Sequence, residues 1–201
     1  MSRKKAVVAL NGERTGNYDF PDGAYIVACD AAYAFLSDAG ISPDCVLGDF
    51  DSLGFVPQGA LTFPVKKDKT DGELALEHCV KNGFADVDFI NFGGGREDHF
   101  LGNLSLLIKA KSLGVTARAF TNNSVIYYIE AGKNEFTVKV GSIVSLFTFG
   151  ECLVKKSSGL IYPYDNTTLT SKSTLGLSNE ADKAVVSIDV ASGGAFFIVN
   201  N

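Results

Sequence analysis

The sequence predicts an α/β domain, an N-terminal largely parallel sheet with flanking helices, followed by a smaller all-β sandwich domain. Three observations carry this. Up to about residue 130, short β-rich runs alternate with helix-like stretches. Beyond that point only short strand-like runs occur, separated by turn residues. The aspartates divide the same way: twelve of fifteen lie at or before Asp98, and only Asp165, Asp182 and Asp189 come later. The expected domains are 1–132 and 133–201.

Taken in order, residues 6–10, 25–29, 45–47, 87–91 and 116–120 read as the strands of the first domain. Thr70-x-x-Glu73 is a capping-box pattern, in which hydroxyl and carboxylate satisfy free backbone N–H groups, and Leu76, Cys79 and Val80 follow at helical spacing. Gly83 is the expected stop. A second helix starts near Asp98, carries Leu101, Leu104 and Ile108 on one face, and ends near Gly114. After Gly132, segments 135–140, 143–149, 185–190 and 195–199 favour strands, punctuated by Gly141, Gly150, Gly159, Gly176 and Gly193-Gly194. A β domain of about 70 residues is near the lower limit for folding alone, so it is expected to dock on something.

Composition narrows the function. The 201 residues include 18 basic and 23 acidic side chains, a formal charge of −5. Nucleic acids and anionic membranes select dense Lys/Arg patches, and the longest basic run here is Arg3-Lys4-Lys5. The apolar stretch after it stops at Asn11-Gly12-Glu13, too short for a signal-peptide core, and no segment approaches the roughly 20 apolar residues of a membrane span. Cys29, Cys45, Cys79 and Cys152 are scattered without a C-x-x-C pair, which suits reduced thiols in a cytoplasm. With only His78 and His99 available, the chemistry must rest mostly on carboxylates.

Four clusters are candidates for it. Val46-Leu47-Gly48-Asp49-Phe50-Asp51-Ser52 is an apolar strand running into two acids; i and i+2 of an extended chain point the same way, so Asp49 and Asp51 can converge on one hard cation. The plainer alternative is an Asx-turn pair closing a loop. Lys67-Asp68-Lys69-Thr70-Asp71 precedes the capped helix; its lysines either approach phosphate or are solvated, and the helix dipole favours Asp71 at that start with or without a ligand. In Asn91-Phe92-Gly93-Gly94-Gly95-Arg96-Glu97-Asp98-His99, three glycines let backbone N–H groups close around an anion, a helix N-terminus lies behind them, and Arg96 can grip phosphate with two donors. The alternatives are a glycine turn, Arg96 paired with a nearby acid, and His99 as a helix-start hydrogen-bonding residue. The pattern is neither G-x-G-x-x-G nor a P-loop, which disfavours a dinucleotide dehydrogenase or a P-loop ATPase. Asp30 adds a fourth acid at a strand end. Carboxylates for Mg²⁺ beside amides and a guanidinium for phosphates are what a metal–nucleotide site requires.

In sequence order, Gly48-Asp49-Phe50-Asp51-Ser52, Lys67-Asp68-x-Thr70-Asp71 and Gly94-Gly95-Arg96-x-Asp98-His99 resemble the thiamin pyrophosphokinase family. The likeness continues through Ser158-Gly159-Leu160-x-Tyr162-Pro163 and Gly176-x-Ser178-Asn179-Glu180, covering most of the chain from about Asp30 to Glu180. The resemblance implies transfer of a pyrophosphoryl group from ATP to thiamin, in a homodimer whose active sites lie between the α/β domain of one subunit and the sandwich of the other. It implies that Asp49, Asp51 and Asp71 hold Mg²⁺ with Asp30 nearby and that Asp98 lies at ATP; the chemistry of the transfer asks in addition for an aspartate, Asp71 or Asp98, to orient or deprotonate the hydroxyl. The resemblance places Asp30, Asp68, Thr70, Gly94, Gly95, Arg96 and His99 at ATP, and Tyr162, Ser178 and Asn179 at thiamin. Where family members often carry Trp, this chain has Tyr162, which either stacks on the substrate ring or belongs to the sandwich core. The rival readings are a related pyrophosphokinase acting on a pterin alcohol and a non-catalytic nucleotide or vitamin sensor.

Overall fold

A computed structural model describes residues 5–16 and 18–200. Arg3 and Lys4 of the basic run lie outside the described residues. The chain divides into two compact units between Asn122 and Asn123.

In chain order the first unit comprises β1 (Lys5–Ala9), β2 (Tyr25–Cys29), α1 (Ala32–Asp38), β3 (Cys45–Gly48), β4 (Leu61–Thr62), α2 (Asp71–Lys81), β5 (Asp86–Ile90), α3 (Glu97–Ser112) and β6 (Thr116–Phe120). Its strands run in the order β6-β5-β1-β2-β3-β4, and every pairing among them is parallel. Parallel strands covered on both faces show no polar alternation, and Ala6, Val7, Val8 and Ala9 are all fully buried. On one face Val7, Ala9, Ala28, Val46 and Ile90 pack with Ala32 and Leu36 of α1 and with Phe50. Helix α2 packs against β1, β2 and β3, and α3 against β6 and α2.

Both expected helices form, with changes in detail. Thr70 Oγ1 accepts from the Glu73 N–H at 3.3 Å, so half of the capping box is present. The other half is not the Glu73 contact found, because its carboxylate accepts from Lys109 of α3 at 2.7 Å. Helix α2 buries Gly72, Ala75, Leu76 and Cys79, while Val80 is only partly covered. In α3 the expected face of Leu101, Leu104 and Ile108 is corrected to Leu104, Leu107 and Ala110, with Leu106 beside them. Leu101 is 53 % exposed. The stripe turns because Phe100, edge-on to Phe92 with ring centroids 6.2 Å apart, takes the first inward position. Asp88 sits mid-strand in β5 at 2 % exposure. It accepts from Arg118 at 2.7 Å, Tyr18 at 2.8 Å and Lys5 at 3.3 Å, so its charge is compensated on the spot.

The second unit comprises β7 (Ser124–Thr137), β8 (Ile143–Phe147), β9 (Glu151–Ser158), β10 (Thr167–Thr170), β11 (Asn179–Glu180) and β12 (Val185–Asn200). All named pairings within it are antiparallel: β12 with β7, β8 and β9, β9 with β10, and β8 with β11. Val144, Leu146, Val154, Val186, Ile188, Val190 and Phe197 form its core. The expected boundary at 132 moves to 122, because β7 runs from Ser124 through Gly132 without interruption. The two strands expected at 185–190 and 195–199 are one long β12, whose register shifts between Val190 and Gly194. Gly193, at φ +75°, supplies the left-handed residue, and a Cβ there would overlap the Glu151 carbonyl. Strands β9 and β10 escaped the sequence reading: Lys155 and Lys156 interrupt the apolar alternation of β9, and β10 is a four-residue threonine-rich segment.

Candidate active site

In open parallel sheets ligands bind beyond the carboxyl ends of the strands, and here those ends are where the backbone turns left-handed. The residues after β2, β3 and β5 include Asp30 at φ 49°, Phe50 at φ 60° and Asn91 at φ 54°. Asp30 is 6 % exposed, and its N–H donates to the Leu47 carbonyl at 2.9 Å. Phe50 drives its ring into the core at 3 % exposure. Its neighbours Asp49 and Asp51 therefore converge through a left-handed turn rather than through an extended strand. Asp30, Asp49 and Asp51 each present a carboxylate oxygen, and these oxygens all lie within 4.8 Å of one another. The Asp51 N–H also reaches Asp49 Oδ1 at 3.4 Å, so the Asx-turn alternative and the acid cluster coexist. Gly48 permits the approach, since a Cβ there would stand 3.1 Å from the Asp30 Cα and Cβ.

Asp71, the first residue of α2, joins this group through Lys67. The ammonium donates to Asp49 Oδ2 at 2.6 Å and stands 3.1 Å from Asp71 Oδ1. The two acids respond differently. Lys67 holds the Asp49 carboxyl below the usual carboxylate range, whereas burial pushes that of Asp71 up despite the same ammonium. Burial pulls the Lys67 ammonium down, but its two acids outweigh this and leave it raised.

The third cluster forms an open loop between β5 and α3. Gly94 and Gly95 adopt φ +77° and +73°, and a Cβ on Gly94 would overlap the Glu13 side chain. A segment that the sequence reading did not single out holds the loop from behind. The Glu13 N–H donates to the Gly93 carbonyl at 2.7 Å. Thr15 and Asn91 exchange two bonds of 2.8 Å, Thr15 N–H to Asn91 Oδ1 and Asn91 N–H to Thr15 Oγ1. Arg96 pairs bidentately with Asp98, at 3.1 Å from Nε and 2.6 Å from Nη2, as the plainer alternative had it. Each holds the other in its charged form: Asp98 lies below the usual range and Arg96 above.

A cleft of about 550 Å³ unites these parts. Of the residues expected at the site, Asp30, Asp49, Asp51, Thr70, Asp71, Gly94, Gly95, Arg96 and His99 line it; Asp68 and Asp98 do not. The lining adds Phe92, from within the glycine cluster, and Leu10, Asn11, Gly12, Phe100 and Asn103, for which no short-range motif existed. Lys67 was legible as a charge but not as the partner of Asp49, and Lys69 instead pairs with Glu77 at 2.8 Å. The donor set fits a hard divalent cation: carboxylate oxygens converge, and Asp30 Oδ1 is buried with no hydrogen-bond partner among the described residues.

Tyr162, Ser178 and Asn179 belong to the second unit. Tyr162 is 66 % exposed, which corrects the core reading of that residue. Asn179, at 2 % exposure, is spent on the backbone. It donates to the Tyr162 carbonyl at 2.6 Å and accepts from the N–H groups of Tyr162 at 3.2 Å and Glu180 at 2.8 Å. Ser178 is exposed at φ 59°, and its N–H donates to Ser145 Oγ at 3.1 Å.

A parallel α/β unit that brings convergent carboxylates and a glycine loop into one cleft has the features of a site for phosphate-bearing ligands. The comparisons with known proteins agree on one family. The model of the thiamin pyrophosphokinase catalytic domain matches residues 20–117. The thiamine pyrophosphokinase of Bacillus subtilis is 29 % identical over 164 residues, 77 % of each chain. The crystal structure of thiamine pyrophosphokinase from Bacillus subtilis superposes with a TM-score of 0.87 at 25 % identity, covering 98 % of this chain and 99 % of that one. Yeast thiamin pyrophosphokinase shares the fold at 14 % identity, with a TM-score of 0.77 over 100 % of this chain and 87 % of its own. The chain is thus similar to thiamin pyrophosphokinases in sequence over most of its first unit, and in fold over nearly its whole length.

Proposed function

We propose that this protein transfers a pyrophosphoryl group from ATP to thiamin, giving thiamin diphosphate and AMP. The observation that carries this reading is the meeting of Asp30, Asp49 and Asp51 with the Gly94-Gly95 loop in one cleft. In the proposed reaction the hydroxyethyl oxygen of thiamin attacks the β-phosphorus. The bond from that phosphorus to the oxygen bridging it to the α-phosphorus breaks, and the electron pair leaves with AMP. The hydroxyl proton passes to a carboxylate, Asp71 or Asp98.

Such a transfer asks for positioning and charge stabilisation more than for covalent help. The amides and open surface of Gly94 and Gly95 would receive phosphate oxygens, and Arg96 would exchange Asp98 for phosphate. Asp49, Asp51 and Asp71, with Asp30 beside them, would hold Mg²⁺, which neutralises charge on the phosphoryl oxygens. Burial raises the Asp71 carboxyl from the usual carboxylate range, the direction that makes its ionised form a better proton acceptor. Tyr162, exposed and aromatic, offers a face to a cationic ring, and Ser178 adjoins Asn179, whose side chain bonds the Tyr162 backbone. Asn179 would act by fixing the Tyr162 backbone.

The same reading includes a homodimer whose active sites lie between the α/β unit of one subunit and the β unit of the other, in the cytoplasm. Incubation with ATP, Mg²⁺ and thiamin should release AMP and thiamin diphosphate in equal amounts. Asp49→Asn and Asp51→Asn should each abolish this with the fold intact. AMP release that ignores thiamin but follows a pterin alcohol would replace the substrate assignment; nucleotide binding without any turnover would favour the sensor.

A further inference from the structure

Three basic side chains line the cleft: Lys67, Lys69 and Arg96. Lys69 pairs with Glu77 and Arg96 with Asp98, acids that do not line it. Lys67 differs. It joins Asp49, at the end of β3, to Asp71, at the start of α2, and its side chain is only 14 % exposed. Asp49 is thereby claimed twice, because it is also one of the three acids whose oxygens gather within 4.8 Å. Asp49 and Asp71 share the ammonium, and with Asp30 and Asp51 beside Asp49 the group carries a formal net of three negative charges. Among the described residues Asp30 Oδ1 has no hydrogen-bond partner.

We propose that Lys67 is the resident counter-ion of the cleft, a positioning residue that holds Asp49 and Asp71 in place before a divalent cation binds and yields Asp49 when one does. The ammonium neutralises part of the acid cluster, and its two contacts tie a strand end to a helix start, so the carboxylates keep their spacing without metal. A dication at Asp49 repels an ammonium on the same carboxylate. Lys67 then turns along the cleft wall toward the anionic phosphates, where a flexible four-carbon stem and three rotatable donors suit it to follow them. One residue thus lowers the affinity of the empty protein for metal and raises that of the metal-loaded protein for polyphosphate. The inference rests on the divalent-cation reading of the cleft, not on thiamin being the acceptor.

The test compares wild type with Lys67→Met and Lys67→Gln. Mn²⁺ binding is followed without nucleotide by the electron spin resonance of free Mn²⁺, and ATP binding is followed by calorimetry at saturating Mg²⁺. Both variants should bind Mn²⁺ about tenfold tighter, freed of a competing cation, and ATP about tenfold more weakly. Thermal unfolding with and without Mn²⁺ checks that they fold. Opposite signs for metal and nucleotide are the signature, since a merely structural lysine would weaken both. Folded variants that bind Mn²⁺ no tighter than wild type would overturn the proposal, as would a wild type that takes up no Mn²⁺ until ATP is present. Thiamin diphosphate synthesis, measured separately, decides the function whichever way these titrations fall.

Discussion

Asp30→Asn is the substitution most sharply specified by the structure. It keeps side-chain shape, and Asn tolerates the left-handed φ of 49° at least as well as Asp, so the backbone at the end of β2 has no reason to move. What changes is charge. At the 4.8 Å limit of the cluster, each carboxylate pair repels by about 3 kcal/mol at an effective dielectric near 20, and by under about 1 kcal/mol in bulk water. Asp51 is exposed and Lys67 offsets Asp49, so a net relief of about 1 kcal/mol is reasonable. For a unit of this size that raises the unfolding midpoint by roughly 3–5 °C in EDTA. With Mg²⁺ the order reverses. Wild type gains stability by mass action, about 2.7 kcal/mol at a hundredfold excess over the dissociation constant, and the variant loses most of that gain together with turnover. The assay is thermal unfolding in EDTA and across a Mg²⁺ titration. A variant no more stable than wild type in EDTA, or one stabilised equally by Mg²⁺, would refute the view that Asp30 is placed for a cation. Asp30→Ala adds about 1 kcal/mol of left-handed strain and should hide the effect.

Further substitutions test the supports of the site. Gly94→Ala meets both a left-handed φ and the Glu13 side chain, whereas Gly95→Ala meets only the φ; the first should cost roughly 2–3 kcal/mol and the second about 1, by denaturant titration. Lys109 binds Glu73 at 2.7 Å and Glu77 at 2.6 Å, joining α3 to α2. The Glu77 carboxyl is held below the ordinary glutamate range by Lys109 first and Lys69 second. Its contribution is therefore present above the unfolded value and lost as pH falls through the lower folded value. Lys109→Met should cost about 0.5 kcal/mol at neutral pH after solvent screening, and its deficit against wild type should shrink in the acid unfolding curve below about pH 4. In the second unit, Asn179→Ala strips three backbone contacts from a buried side chain and should cost about 2–3 kcal/mol. Tyr162→Ala should leave stability within about 0.5 kcal/mol and raise the KM for thiamin.

The parts of this molecule legible in the sequence are those written at short range. Strands β1, β2 and β3 announce themselves as apolar runs because most of their residues are buried, whereas β5 and β6 keep Asp86, Asp88 and Arg118 within otherwise β-favouring runs. Thr70 marks the start of α2 because its cap is closed within three residues. Asp49, Asp51 and Gly94-Gly95 stand at predicted element ends, so their place in the cleft followed from the chain order. What escaped depends on partners far along the chain. The link from Lys67 to Asp49 spans 18 residues, and that from Thr15 to Asn91 spans 76. Nothing near Glu13 or Thr15 foretells that they support a glycine loop after β5. The half-buried β9 and β10 break their apolar pattern with Lys155-Lys156 and with threonines, and of β7 only the end, from residue 135, is legible, leaving 124–134 unassigned.

The least legible feature is also the one that assembles the site. A strand that simply continued past Ala28 or Leu47 would carry alternate side chains to opposite faces, and Asp30 and Asp49 would have no cause to meet. Left-handed residues at Asp30, Phe50 and Asn91 break all three strands at their carboxyl ends. At Phe50 the conformation is unfavourable for an aromatic residue, and no side-chain hydrogen bond compensates, as one can for Asp or Asn. The compensation comes instead from burying the ring in the core that β1, β2 and α1 build. Core packing thus holds the turn that aims Asp49 and Asp51 outward beside Asp30, and the stability of the first unit maintains the spacing of its acids. Loss of the Phe50 ring should therefore loosen the carboxylates as well as the core, linking a residue without reactive chemistry to the affinity of the cleft for a cation.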